Sequence, residues 1–241
     1  MHAVQFGLFA GMSEVLNPAR QERVEFIGHE RQPLVVIDNC LMNPEGWRAL
    51  AAGERYEPIG AYYPGVRAHV ARGVAAALRA ALVPVVKDAF ALDPVPPLVD
   101  CFYSIVTTPP ATLAPIQRLP HIDGLETNRL AILIYLSGES QGGTAFFRQR
   151  STGYETIDAA RFPAFEAALQ QDVSEQGLPP AAYIAGDTPI YEKIAQVEAR
   201  PNRAIIYRSH LLHCARIPPD APLSPDPRKG RLTINAFLFG G

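Results

Sequence analysis

At 241 residues and 26.3 kDa, the chain has the size of one large domain, and 48% hydrophobic side chains can fill a single core. A formal charge of −2 at pH 7 and 19% charged residues exclude a polybasic groove for nucleic acid or a basic membrane patch. No apolar run approaches ~18 residues, so no membrane span is expected, and MHAVQFGLFAGMSEVLN lacks the basic start and apolar centre of a secretory signal.

Cys40, Cys101 and Cys214 are odd in number and far apart, which suits reduced thiols in a cytoplasm better than a disulfide framework. No C-x-x-C pair exists, so a cysteine zinc site is not expected. The 23 prolines and 18 glycines cut the chain into short segments, as in a strand-rich fold.

In chain order, the first thirty residues show no pattern and suggest no function. Residues 33–38 read as a short buried strand rich in β-branched side chains. Asn43 and Pro44 start a short helix to about Ala52, as N-cap and first helical residue. A longer helix is expected over 65–91, where Val70, Val74, Leu78 and Leu82 recur at four-residue intervals. Pro84 should kink or break it, and Asp93-Pro94-Val95-Pro96-Pro97 should stop it. Residues 1–97 thus read as a helical support.

From Leu98 the pattern changes. Segments 98–107, 130–137, 143–149, 203–208, 211–215 and 231–239 are short, β-branched or aromatic, and bounded by turn residues. Such a series without regular intervening helices points to a β-sandwich or barrel. Residues 157–200 are rich in Ala, Gln and Glu, and read as an insertion carrying helices near 159–172 and 189–199. The expectation is one domain over 1–241, mainly β with flanking helices (α+β), its β core spanning 98–241.

Three features suggest chemistry. His121-Ile122-Asp123 sets an imidazole and a carboxylate two residues apart, on one side of an extended backbone. A histidine follows about ninety residues later, at His210 or His213. Two His and one carboxylate form the facial triad of non-haem Fe(II) oxygenases, which leaves three coordination positions open. His210 and His213 are three residues apart, so in one strand only one of them could meet His121. Arg231 opens the apolar strand Arg231–Phe239, where a buried guanidinium needs an anionic partner, and Thr233 shares its face. His2, His29 and His69 have no partner pattern and read as surface residues.

H-x-D, then a distal His, then R-x-T on the last strand resembles the Fe(II)- and 2-oxoglutarate-dependent dioxygenase superfamily. Asn202 to His213, with Ser209 four residues before His213, is similar to the superfamily's distal-histidine strand. Gly142-Gly143-Thr144 is similar to its glycine pair, and Val35 to Leu41 with Pro44 resembles the lead-in of the prolyl-hydroxylase-like branch.

The resemblance implies a double-stranded β-helix (jelly-roll) core, with His121, Asp123 and His213 as iron ligands. It implies that Arg231, helped by Thr233, holds the distal carboxylate of 2-oxoglutarate, with Tyr103 as a further contact. The implied activity is hydroxylation of a small-molecule, peptide or protein substrate with dioxygen, releasing succinate and CO2. An alternative is a jelly-roll protein that binds a metal or ligand without turnover.

Overall fold

The structure is a computed structural model that describes residues 14–60, 62–138 and 141–240; His2 lies outside them. In chain order these residues form β1 (Gln21–Ile27), β2 (Gln32–Asp38), α1 (Pro44–Ala52), β3 (Gly65–His69), α2 (Arg72–Phe90), β4 (Leu98–Val106), β5 (Leu130–Tyr135) and β6 (Gly143–Gln149). There follow α3 (Phe162–Gln176), β7 (Tyr191–Glu198), β8 (Arg203–Arg208), β9 (His213–Arg216) and β10 (Arg231–Leu238).

The strands make two antiparallel sheets, a seven-stranded one ordered β1-β2-β8-β5-β10-β4-β3 and a three-stranded one ordered β7-β6-β9. His121 extends the smaller sheet, bridging to His213 through backbone bonds of 2.9 and 3.0 Å. From β4 onward the chain passes back and forth between the sheets. β4, β5, β8 and β10 lie in the large sheet, while the His121 segment, β6, β7 and β9 lie in the small one. This is the winding of a double-stranded β-helix, a jelly roll flanked by helices.

Period-two alternation divides the large sheet's side chains between two cores. Ile132, Ile134, Ile206, Leu232 and Ile234 pack on one face against Leu78, Leu82, Val86 and Phe90 of α2 and Trp47 of α1. Leu34, Val36, Leu133, Tyr135, Ile205 and Tyr207 face the other way, toward Phe146 and Val197 of the small sheet. A third cluster joins the outer face of the small sheet to Phe165 of α3.

Local signals hold at α1, where the Asn43 side chain accepts the Gly46 N–H at 2.9 Å and Pro44 occupies the first turn. Three expectations fail to sheet pairing. Residues 65–69 form β3 rather than a first helical turn, because Gly65 lets the chain press on β4. A Cβ there would sit 2.0 Å from the Ile105 carbonyl oxygen. Residues 191–198 form β7 rather than a helix, paired along β6 from Tyr191 to Glu198. The segment 157–200 therefore supplies a strand of the small sheet as well as α3. Likewise the described residues of 1–97 contribute β1, β2 and β3 to the large sheet beside α1 and α2. Pro84 neither ends nor splits α2, which runs through it to Phe90.

Candidate active site

The open end of the jelly roll holds a cavity of about 830 Å³, walled by both sheets, the loop 116–125 and α3. His121, Asp123 and His213 meet on its wall, with one potential ligand atom from each within 4.8 Å of the others. Asp123 lies between the rings, Oδ2 at 3.3 Å from His213 Nε2 and Oδ1 at 3.7 Å from His121 Nε2. The two rings are tilted, with centroids 4.5 Å apart.

Backbone contacts set this arrangement. His121 and His213 are opposed across the bridge, and the Asp123 N–H donates to the Ser209 carbonyl at 2.8 Å. His213 Nδ1 lies 2.8 Å from the Leu211 carbonyl, which can only accept, so that nitrogen carries the proton. Its Nε2 faces the Asp123 carboxylate. A ring nitrogen and a carboxylate aimed at each other suit a metal cation between them, and a backbone-held imidazole suits a ligand.

The charge states agree with that use. His121 faces the cavity, where solvent reaches 48% of its side chain, yet it stands deep in the fold. Desolvation, aided by His213, pushes its pKa down to about 4 against the opposing pull of Asp123. Burial pushes the Asp123 carboxyl up, but His213, His121 and Arg67 outweigh it and hold it below the usual value. A neutral imidazole and an ionised carboxylate result at pH 7. Cys214 also lines the cavity, but burial raises its thiol to about 12, so it offers no competing thiolate.

His210 stays outside the cluster, for a reason other than strand alternation. Residues 209 and 210 form a turn between β8 and β9, and His210 is buried near Asp158, Glu30 and Arg161.

Arg231, 3% exposed, lines the cavity beside Tyr135. Its Nε donates to the Gln141 carbonyl at 3.1 Å and its Nη2 to the Gly143 carbonyl at 2.9 Å. Among the described residues Nη1 has no acceptor and no carboxylate pairs with the group. The fork is thus held in place by two carbonyls without being neutralised. Gly142 (φ +87°) and Gly143 make this possible, since Cβ atoms there would lie 1.8 Å from the Arg216 oxygen and 2.1 Å from the Val197 oxygen.

Thr233 sits on the same face of β10, donating to Asn235 Oδ1 at 2.6 Å. Tyr103 does not join them. Phe102, Ser104 and Val106 take the cavity face of β4, so Tyr103 points into the core shared with α1 and α2. His29 and His69 are exposed.

Several cavity residues escaped the sequence reading. Asn235 and Phe237 follow from Arg231 by the two-residue repeat and could have been found. Tyr207, Thr144, Tyr63 and Arg67 come from other strands and loops, and only the sheet pairing brings them there.

Residues 18–238 match a family model described as "Family of unknown function (DUF6445)". No curated protein matches significantly. Among solved structures, the chain is similar to SnoN, a non-heme alpha ketoglutarate dependent epimerase from nogalamycin biosynthesis, at 14% identity and a TM-score of 0.48, over 88% of this chain and 79% of that one. It is similar to HygX from Streptomyces hygroscopicus with nickel and 2-oxoglutarate bound, at 13% identity and a TM-score of 0.48, over 98% and 86%. It is also similar to a Pseudomonas putida prolyl-4-hydroxylase, at 13% identity and a TM-score of 0.41, over 100% of both chains.

Proposed function

We propose that this chain, which belongs to the DUF6445 family, is an Fe(II)- and 2-oxoglutarate-dependent oxygenase that hydroxylates a small substrate. One observation carries the reading. A two-His, one-carboxylate donor set and a buried guanidinium without an acidic partner share one cavity. The first suits a divalent metal with open positions, and the second suits the distal carboxylate of a keto acid. A metal site alone would give no use for Arg231.

In this reading His121, Asp123 and His213 hold the metal. Bound there with 2-oxoglutarate, Fe(II) supplies dioxygen activation, so that one oxygen atom enters a substrate C–H bond and the other enters succinate as CO2 leaves. The protein orients and shields. The Leu211 carbonyl fixes the His213 ring, and the Ser209 carbonyl fixes the Asp123 backbone. The Gln141 and Gly143 carbonyls aim Arg231 so that its free Nη1 meets the keto acid. Tyr207 packs against the His213 ring at 4.8 Å, and Phe162 and Phe165 of α3 form an apolar wall that limits water.

The test is anaerobic spectroscopy. Wild-type protein with Fe(II) and 2-oxoglutarate should show a weak visible metal-to-ligand charge-transfer band, absent in His213→Ala. Well-folded wild type with no band at saturating iron and keto acid would overturn the reading.

A further inference from the structure

The cavity holds a second guanidinium that the metal and keto-acid assignments do not use. Arg67 of β3 lies over the Tyr63 ring, 3.9 Å from its centroid, and 5.2 Å from that of Phe102. Its backbone is held on both sides, in register with Ser104 of β4 and bonded to Glu57. Among the described residues no acceptor holds its head. Nε is buried without a partner, and Asp123 and Asp100 act on it only at longer range. Arg118, by contrast, spends Nε and Nη2 on the Leu113 carbonyl.

Arg67 and Arg231 serve different parts of the cavity. The register runs from Arg67 to Ser104 to Thr233, which sets Arg67 two strands, or roughly 10 Å, from β10. Arg67's field reaches His121 and Asp123, Arg231's reaches Tyr135 and Tyr207, and Tyr63 feels both. The lining carries three guanidiniums, of Arg67, Arg118 and Arg231, against the carboxylates of Asp123 and Glu166. A divalent metal and a dianionic keto acid offset each other, so one positive charge is left over. Phe162, Phe165 and Leu169 of α3 give the same cavity an apolar wall.

We propose that Arg67, backed by the Tyr63 ring, is the subsite for a substrate carboxylate, and that the substrate is a small carboxylic acid whose apolar body lies against α3. A single planar fork matches one carboxylate, and a surplus of one charge suits a monoanion. The assignment deepens the oxygenase reading and rests on it for the position of the reacting carbon.

The experiment compares phenylacetate with phenylacetamide, which share an apolar body and differ in charge. Binding is read by titration to protein saturated with Fe(II) and 2-oxoglutarate without oxygen, and again to protein without metal. Wild type should prefer the acid at least tenfold. Arg67→Gln should abolish that preference, and Arg67→Lys should keep part of it. Both variants should bind 2-oxoglutarate within twofold of wild type.

An undiminished preference in Arg67→Gln, or none in wild type, would overturn the proposal. So would a tenfold loss of keto-acid affinity in Arg67→Gln, which would give Arg67 to the co-substrate. If Arg67→Gln does not fold, the same criteria are applied to Arg67→Lys, where a preference equal to that of wild type overturns it. A wild type without the charge-transfer band would defeat the cofactor reading alone, because the metal-free titration still reads Arg67.

Discussion

His213 and His210 lie three residues apart, yet only one faces Asp123, because a turn rather than a continuous strand joins them. His213→Ala should therefore remove most Fe(II) affinity, while His210→Ala leaves it largely intact, as metal titration would show. Interchanged effects would contradict the site. Another residue-scale device is Glu30, whose carboxylate accepts from the Glu155 N–H, the Thr156 hydroxyl and Arg161 Nη1. Burial pushes its pKa up, but those donors prevail and leave it lowered from 4.5. A depressed carboxyl stabilises the fold above its unfolded pKa, and the contribution fades as pH falls through the folded value. Glu30→Gln should thus melt below wild type at pH 7, with the gap closing below about pH 4 in a melting series.

β10 and the start of β6 act together at the element scale. Arg231 opens β10, and the carbonyls of Gln141 and Gly143 set its fork. Arg231→Leu should leave iron binding nearly unchanged and weaken 2-oxoglutarate by about 2–5 kcal/mol, as calorimetry would read. Gly142→Ala tests the cradle. A side chain at φ +87° and against the Arg216 carbonyl should cost more than ~1 kcal/mol in denaturant unfolding. It should also weaken the keto acid by displacing the carbonyls that aim Arg231. Unchanged affinity would show that the glycine pair does not serve Arg231.

Across the whole molecule, the helical layer and the cavity lie on opposite faces of the large sheet. Leu82 of α2 is fully buried in the helical layer, so Leu82→Ala should cost about 2–5 kcal/mol of stability. Because the sheet stands between, keto-acid affinity below the melting point should hardly change. Ligands that bind only the folded chain raise its stability, by about 2.7 kcal/mol at a hundredfold excess over Kd. Metal with 2-oxoglutarate should therefore raise the melting temperature of wild type, and of Leu82→Ala by a similar free energy.

Local chemistry sufficed to read the short helix behind Asn43, the strands from Leu98 onward other than β7, and the H-x-D, because caps, β-branched runs and ligand types act within a few residues. Tertiary structure decided the rest. Residues 65–69 and 191–198 have helical composition but become β3 and β7, since pairing with β4 and β6 outweighs propensities of a few tenths of a kcal/mol per residue. Tyr103 turned away from the cavity because one residue of register exchanges the faces of a strand. Arg67 entered it because β3 pairs with β4, a partner more than thirty residues along the chain that no local pattern could name.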